Sequence, residues 1–325
     1  MKRLFCYILI LVLICFILPI IGARNIQKSY PKDQISVIED YDYSKYTTVK
    51  LLHAKTKEVE EVNLDEYICN VVSAEMPATY NLEALKAQAI VARTYTIYKI
   101  VNSSKHDNAD ICDSSSCCQA WISKNDRLSK WKEDVRIENW NRIVTAVNDT
   151  RGKIITYDGK PINAFFHSNS GGATERPIDV WGGSGYPYLQ VVQTSGEDAY
   201  NQYSSMVSLT KEELIEKIKE KHEDIEINFE EENCIEILEK TEGERVKTIK
   251  FGNIELSGVE TRTILGLKSA KFSVYIDGDN ITFDVIGYGH GVGMSQTGAD
   301  SLAKQGENYE NIIKHYYTGV EIINM

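Results

Sequence analysis

Nineteen consecutive apolar or small residues, Leu4 to Gly22, lie near the start of a chain that is hydrophilic elsewhere. At about 1.5 Å per residue, a helix of this length spans roughly 28 Å, close to the thickness of the hydrocarbon core of a bilayer. Lys2 and Arg3 precede the run, and positive charge stays on the cytoplasmic side of a membrane. Residues 1–23 are therefore predicted to form a single membrane anchor, which places the rest of the chain outside the cytoplasm.

A cleaved signal peptide is the alternative interpretation of the same run. Signal peptides have a shorter apolar stretch that ends in a small-x-small cleavage site, whereas cleavage after Ala23 would leave Ile21 at the third position before the cut. The uncleaved anchor is therefore favoured. Residues 24–45 are polar and lack helical periodicity, which predicts a stalk that holds the following domain off the membrane.

The composition of the remaining chain is that of a folded protein, with 42% hydrophobic and 26% charged residues. Helical patterns alternate with short strand patterns, which predicts an α+β fold with mixed helices and mostly antiparallel strands. We expect one grooved domain over residues 46–325 with an additional small lobe. Thr210 to Lys247 contains 14 acidic and seven basic residues, so the lobe is predicted as a solvated, acidic unit over about 205–262.

The net charge of the chain is −11, from 36 Lys and Arg against 47 Asp and Glu. A negative protein repels phosphate backbones over any distance that salt does not screen. General binding to nucleic acid is therefore not expected.

Glu75 is the first candidate for chemistry. Asp65 is the predicted cap of a helix in which Glu75 falls on the apolar face, and Pro77 should end that helix. Asn81 is predicted to cap a second helix that runs to about Ile100. Burial and the negative end of the helix both raise the pKa of a carboxyl group, which makes a general acid available near neutral pH. A structural glutamate bonded to a neighbouring turn is the alternative.

Two loops rich in glycine and serine are the second candidate, Phe165–Gly172 and Gly287–Gln296. Their amides and hydroxyls suit an oxygen-rich ligand, and glycine allows close approach of the backbone; tight turns without a ligand are the alternative. The lysine of a phosphate-binding P-loop is absent, which argues against a nucleotide site. A final helix, Thr297 to Tyr317, is predicted to follow the second loop.

Four soft or borderline donors form the third candidate: His106, Cys112, Cys117 and Cys118. Zinc favours such nitrogen and sulfur ligands in a tetrahedron, although the spacing is not that of a standard finger. Outside the cytoplasm a disulfide is an alternative, and free thiols are another. With Cys69 and Cys234 the exported part has five cysteines, an odd number that excludes complete pairing within one chain.

In combination and in this order, the motifs resemble the stage II sporulation protein D family of peptidoglycan lytic transglycosylases. The resemblance runs from about Val49 to the C-terminus and rests on Ser73–Pro77, Leu85–Tyr95, His167–Gly172, Val180–Trp181 and Gly289–Gln296.

The resemblance implies an enzyme that cleaves glycan strands of peptidoglycan with formation of 1,6-anhydro-muramic ends. It would work during forespore engulfment, in the space between mother cell and forespore, with a cell-wall amidase and the membrane partner of that amidase. The amidase strips stem peptides and leaves denuded glycan. A scaffold that binds peptidoglycan and activates the amidase is the alternative function, and a zinc amidase that cuts stem peptides is a third.

The resemblance also assigns roles to residues. Glu75 inherits the role of catalytic acid. Residues expected to position the substrate are Tyr95, His167, Ser168, Ser170, His290 and Gln296. Clostridial members resemble zinc proteins through a His and Cys cluster, which implies a zinc ion of structural rather than catalytic type on His106, Cys112, Cys117 and Cys118. Cys117 departs from the expected pattern, in which a histidine would stand next to the cysteine.

Overall fold

The computed structural model describes residues 34–38, 45–102 and 105–325. The predicted anchor and most of the predicted stalk lie outside these ranges. Among the described residues, no helix has the length and apolar character needed to cross a membrane. Residues 34–38 lie along a helix of the domain, where Asn141 bonds the backbone of Gln34 at 2.8 Å and of Ser36 at 2.6 Å.

Nine helices occur in the described part of the chain. They are α1 (Leu64–Glu75), α2 (Leu82–Val101), α3 (Lys124–Lys130), α4 (Glu133–Asn148), α5 (Pro177–Trp181), α6 (Lys211–Lys219), α7 (Gly258–Leu265), α8 (Gln296–Lys304) and α9 (Tyr309–Tyr316).

Fourteen strands accompany them over the same described residues. They are β1 (Thr48–Leu52), β2 (Val59–Asn63), β3 (Ile111–Cys112), β4 (Lys153–Tyr157), β5 (Lys160–Pro161), β6 (Phe166–His167), β7 (Ser204–Thr210), β8 (Ile235–Lys240), β9 (Val246–Phe251), β10 (Ile254–Ser257), β11 (Phe272–Asp277), β12 (Asn280–Ile286), β13 (Met294–Ser295) and β14 (Glu321–Asn324).

The strands form small sheets that are mostly antiparallel. Their orders are β2-β1-β3, β14-β4-β5, β13-β6, β10-β9-β8 and β11-β12-β7. Only the pairs β1-β3 and β6-β13 are parallel among the described strands. The predicted α+β class is therefore confirmed.

Helix α2 lies at the centre of the larger core and packs against α1, α4, α8, α9 and β4. Its small alanines allow close approach of these neighbours, and Leu85, Ile90 and Val91 are fully buried. Arg93 is also fully buried, and its guanidinium donates to Asp65 at 3.1 Å. An ion pair inside the core thus joins α2 to α1.

The start of α1 differs from the prediction. Asn63, not Asp65, caps the helix, because the Asn63 side chain accepts the backbone N–H groups of Asp65 and Glu66. Asp65 is instead held by Arg93. The expected cap at Asp65 is wrong because a partner 28 residues further along the chain takes up its carboxylate.

The predicted final helix, Thr297 to Tyr317, is also wrong as one unit. The helical conformation is interrupted between α8 and α9. Gly306 there has a positive φ of 103°, and Asn308 caps α9 by accepting the N–H of Asn311 at 2.9 Å. The break lets α9 pack back on α2.

A second hydrophobic core lies in the side lobe formed by the elements from β7 to β12. Leu214, Ile249, Phe251 and Phe283 are among its fully buried members. The sheets β10-β9-β8 and β11-β12-β7 enclose this core together with α6 and α7. It extends past residue 262, since Val285 belongs to it.

Candidate active site

A cleft of about 810 Å³ is lined by the end of α1, by α2, by the loop of the cysteines, and by both glycine-rich loops. One wall residue, Arg262, comes from α7 of the side lobe. The predicted residues that line this cleft are Glu75, Tyr95, Cys117, Cys118, His167, Ser168, His290 and Gln296.

Glu75 is the last residue of α1 and is partly buried in the cleft. The helix ends there because Met76, which precedes Pro77, adopts an extended conformation. One carboxylate oxygen accepts the N–H of Ala120 at 2.5 Å. Burial raises the pKa of Glu75 above its ordinary value, although the Ala120 amide and the Gln296 side chain act to lower it.

Gln296 is the first residue of α8 and is nearly buried. Its amide nitrogen makes no hydrogen bond of ordinary geometry with another described residue, yet the side chain lies close enough to Glu75 to favour the ionised carboxylate. An unpaired amide donor thus lies buried beside the acid.

Two neutral histidines stand next to each other in the wall, with ring centroids 5.7 Å apart. The Nδ1 of His167 donates to the Val292 carbonyl at 3.1 Å. The Nδ1 of His290 accepts the Val292 N–H at 3.0 Å. Burial, together with the charge of Arg245, lowers the pKa of His167 to about 4, and burial beside His167 holds the pKa of His290 well below its ordinary value. One backbone segment therefore sets the tautomer of both rings.

Aromatic rings form the wall next to the histidines. Phe165 lies 4.8 Å from Trp181 between ring centroids, and Trp181 lies 5.1 Å from His290. Trp181 is 51% exposed, so one face of its ring is open to a flat apolar ligand such as the face of a sugar. Tyr95 is nearly buried behind Phe165, with 6.2 Å between their ring centroids. Trp181 was part of a motif in the sequence but was not predicted as a site residue.

Behind the cleft, Glu197 joins the two glycine-rich loops. It lies in a short 3₁₀ helix, Glu197–Ala199, and is 2% exposed. One carboxylate oxygen accepts from Ser170 N–H, Ser295 Oγ and Thr297 Oγ1, and the other accepts from Ser170 Oγ, Gly172 N–H and Thr194 Oγ1. Burial acts to raise the pKa of Glu197, but the hydrogen bonds from Ser170, Ser295 and Thr194 outweigh it and lower the pKa to about 2.

Ser170 therefore lies inside this network and does not line the cleft. No sequence signal pointed to Glu197, because its partners come from segments up to 100 residues away. Its role can be recognised only from the fold.

Arg245 supports the same loops from the side lobe. Its guanidinium is 3% exposed and donates to the carbonyl oxygens of Ser170 at 2.8 Å and Ala173 at 3.0 Å. Gly291 allows this approach, because a Cβ atom there would lie 2.3 Å from the guanidinium. Glu175 lies 3.9 Å from Arg245 and is buried.

The cysteine loop brings four donors together as predicted. The donor atoms of His106, Cys112, Cys117 and Cys118 all lie within 4.8 Å of one another. The Nε2 of His106 lies 3.3 Å from the Cys118 sulfur and 3.5 Å from the Cys117 sulfur, and the two sulfurs are 3.8 Å apart. A tetrahedron with metal–sulfur bonds of about 2.3 Å has edges of roughly 3.8 Å, so the cluster fits a zinc ion.

A tight turn makes this convergence possible. The carbonyl of Ser114 accepts the N–H groups of Cys117 at 3.1 Å and Cys118 at 2.8 Å, which lets adjacent side chains turn to one point. No disulfide joins any of the five cysteines of the described chain. The next residue, Gln119, is buried and donates to Tyr67 and Thr96, each at 3.0 Å. The loop thus delivers the Ala120 amide to Glu75.

Glu175 and Asp179, which lie in the chain between the motifs His167–Gly172 and Val180–Trp181, do not line the cleft. Glu175 bonds Thr241 and Asp179 accepts from Arg176 at 2.9 Å, and both border a small cavity beside the cleft rather than the cleft itself. Glu75 is accordingly the one carboxylate among the described residues that line the cleft.

Comparison with known proteins assigns the class. The family model "SpoIID: Stage II sporulation protein" matches residues 53–157. The chain is 35% identical to stage II sporulation protein D of Bacillus amyloliquefaciens and 34% identical to that of Bacillus subtilis, in each case over 85% of this chain and 78% of the relative. It is also 30% identical to the amidase enhancer of Bacillus subtilis, over 78% of this chain and 39% of the relative. The chain therefore belongs to the stage II sporulation protein D family.

Proposed function

We propose that this sporulation protein is a membrane-anchored lytic transglycosylase. Its substrate would be the bond between N-acetylmuramic acid and N-acetylglucosamine in denuded glycan strands, and its product would carry a 1,6-anhydro-muramic end. The observation that carries the proposal is that Glu75 supplies the single carboxylate among the described residues of the cleft lining. Canonical hydrolysis of a glycoside uses a second carboxylate within roughly 5 to 9.5 Å, whereas attack by the substrate's own hydroxyl needs none.

The reaction needs one proton donor that later accepts a proton. Glu75, whose pKa is raised by burial, gives its proton to the oxygen of the glycosidic bond as that bond breaks. The C6 hydroxyl of the muramic acid residue forms the new bond to C1 and returns its proton to the Glu75 carboxylate. No water is consumed, and Glu75 ends in its starting state.

The walls of the cleft supply groups suited to holding a glycan. Trp181 offers an open ring face, and the rings of His167 and His290 complete the wall next to it, held in place by their hydrogen bonds to Val292. Gln296 provides an amide donor next to the acid. Ser168 and Tyr95 also line the cleft, so these residues keep their proposed role in positioning the substrate.

The substitution Glu75→Gln tests the proposal. We expect the full chain in detergent to release anhydro-ended fragments from denuded glycan, and Glu75→Gln to lower that rate by at least about a hundredfold, because general acid catalysis contributes that much or more. Product ends are measured by chromatography with mass spectrometry.

Glu66→Gln is the matched control, since Glu66 is an exposed acid on the same helix. Its rate should equal that of the wild type. A wild type that cuts nothing under any tested condition, or a Glu75→Gln variant that cuts at the normal rate, would overturn the proposal.

Amidase activation is a second candidate function, favoured by the similarity to the amidase enhancer of Bacillus subtilis. In that case the chain would be a scaffold that binds peptidoglycan and stimulates a cell-wall amidase, with the amidase's membrane partner nearby. A wild type that cuts no glycan but accelerates an amidase would support this function.

The cysteine cluster is proposed to hold zinc. His106, Cys112, Cys117 and Cys118 would fill a four-ligand shell, which leaves no position for water and indicates a structural ion. Protein purified without added metal should contain about one zinc per chain, and Cys112→Ser should contain much less. A metal-free wild type with a mass lower by two hydrogens would show a disulfide instead.

The location is proposed from the N-terminal sequence. Leu4–Gly22 would anchor the protein in the cell membrane, with the domain in the space between mother cell and forespore. In cells that produce the protein without forming a forespore, proteolysis of intact protoplasts should remove the domain. Protection from the protease would contradict the proposed orientation.

A further inference from the structure

The lining of the cleft carries a charge opposite to that of the whole protein. The net charge of the chain is −11, yet three cationic side chains line the described part of the cleft, Lys99, Lys105 and Arg262, against the one carboxylate of Glu75. A cleft lined by one sign of charge concentrates ligands of the other sign. The ligand of this cleft is therefore expected to be an anion.

Two of the three cations already have partners. The ammonium group of Lys99 lies 4.9 Å from the centre of the Tyr95 ring. Lys105 lies beside Cys117 of the cysteine cluster. Of the cations in the described part of the cleft lining, Arg262 is the one that remains for a ligand.

Arg262 differs from Arg245, the other inward arginine of the side lobe. Arg245 donates hydrogen bonds from both terminal nitrogens to backbone carbonyls and lies near Glu175. Arg262 donates from Nε to the Leu267 carbonyl at 3.3 Å and forms no ion pair with any described residue. A guanidinium has five N–H donors, so the four on its two terminal nitrogens remain without a hydrogen bond to any described residue.

Partial burial of an arginine without a counterion costs free energy. Arg262 is only partly exposed, and it borders both the cleft and the small cavity next to His290. A bound anion would offset this cost. The planar guanidinium matches a carboxylate through two parallel hydrogen bonds, which a lysine does not provide.

We propose that Arg262 is a specificity-determining residue that binds the free lactyl carboxylate of an N-acetylmuramic acid residue. This inference rests on the proposed function. In a strand that carries stem peptides the same carboxyl group is an uncharged amide, so Arg262 would have no charged partner there. The reaction that supplies the substrate must then be hydrolysis of that amide. Arg262, a residue of the side lobe, would distinguish strands in which this amide has been hydrolysed from strands in which it is intact.

Stem peptides carry carboxylates of their own, so Arg262 could in principle bind either a lactyl carboxylate or a peptide carboxylate. Three glycan substrates distinguish these two ligands. They are denuded strands with free lactyl groups, the same strands with each lactyl group converted to its methylamide, and strands that carry stem peptides. We expect wild-type kcat/KM to be about tenfold to a hundredfold higher on the free-acid strands than on the methylamide strands, since a hydrogen-bonded charge contributes that much.

Arg262→Gln should remove this preference by lowering kcat/KM on the free-acid strands alone, and Arg262→Lys should retain part of it. Lys247→Gln is the matched control, because Lys247 is an exposed cation of the same lobe that pairs with Glu239 outside the cleft. Its preference should be that of the wild type.

Equal losses on free-acid and methylamide strands in Arg262→Gln would overturn the inference, because they indicate a structural role. A wild type that prefers peptide-bearing strands would overturn it as well. If the wild type cuts nothing, the proposed function fails, and binding still tests Arg262: Glu75→Gln should bind free-acid fragments more tightly than methylamide fragments, and Glu75→Gln with Arg262→Gln should bind both equally.

Discussion

Glu75 and Glu197, one partly and one fully buried, differ in the number of hydrogen-bond donors around them. Glu75, in the lining of the cleft, receives one backbone N–H and lies near one amide side chain. Glu197, behind the loops, accepts from two backbone N–H groups and four hydroxyls. Burial raises the pKa of Glu75, whereas the surrounding donors lower that of Glu197 to about 2.

The difference shows that the neighbours of a carboxyl group, rather than burial alone, decide its role. A carboxyl with few donors holds its proton and can pass it on. A carboxylate saturated with donors stays ionised and fixes the groups that surround it. In this protein the first suits catalysis and the second orders the loops that line the site.

The largest stability effect is expected for Glu197→Gln. Each oxygen of Glu197 accepts a backbone N–H, so the amide group of glutamine would face a donor in either orientation. We expect unfolding by urea to show a loss of about 3 kcal/mol at neutral pH. Asp198→Asn, an exposed neighbour, is the control and should lie within about 0.5 kcal/mol of the wild type. If Glu197→Gln also lost no more than about 0.5 kcal/mol of stability, the hydrogen bonds of Glu197 would not be what orders the glycine-rich loops.

The stability of the wild type and of Glu197→Gln, measured as the pH is lowered, tests the role of the Glu197 charge. Because the pKa of Glu197 is lowered from 4.5 to about 2, its contribution to stability is fully present above pH 4.5 and is lost as the pH falls toward 2. The difference between the wild type and Glu197→Gln should therefore shrink across this window. A constant difference would show that the ionised form of Glu197 is not what stabilises the loops.

A smaller effect of opposite sign is expected for Glu75→Gln. A carboxyl with a raised pKa stabilises the fold most below its unfolded pKa and loses that contribution as the pH rises through its folded pKa. Glutamine resembles the protonated form, so the variant should be as stable as the wild type at neutral pH or more stable by up to about 1 kcal/mol. Thermal unfolding measures this, and a marked loss of stability would indicate a structural role for Glu75.

The parts of the site that sequence predicted are those set by local chemistry. The spacing along α1 and the position of Pro77 were enough to place Glu75 at the end of a helix, and the spacing of the cysteines was enough to group four donors. Both features depend on residues close together in the chain.

The features that sequence did not predict depend on tertiary partners. The local sequence favours Asp65 as a cap, but the pairing of Asp65 with Arg93 exists only after α1 and α2 pack. Glu197 carries no motif, and the Thr297 hydroxyl that it binds lies 100 residues away. Arg262 enters the cleft only because the side lobe packs beside it. Long-range packing, which no local pattern records, decides these positions.

The central claim is that Glu75 alone catalyses cleavage and that water does not take part in the reaction. The most direct test of this claim is whether oxygen from the solvent enters the product. Denuded glycan is cut by the full chain in water labelled with heavy oxygen, and the new muramic ends are weighed by mass spectrometry. We expect unlabelled anhydro ends, one water lighter than a hydrolysis product, because the C6 hydroxyl is the nucleophile. Reducing ends that carry the heavy isotope would show that water attacks, and would contradict the mechanism proposed for Glu75.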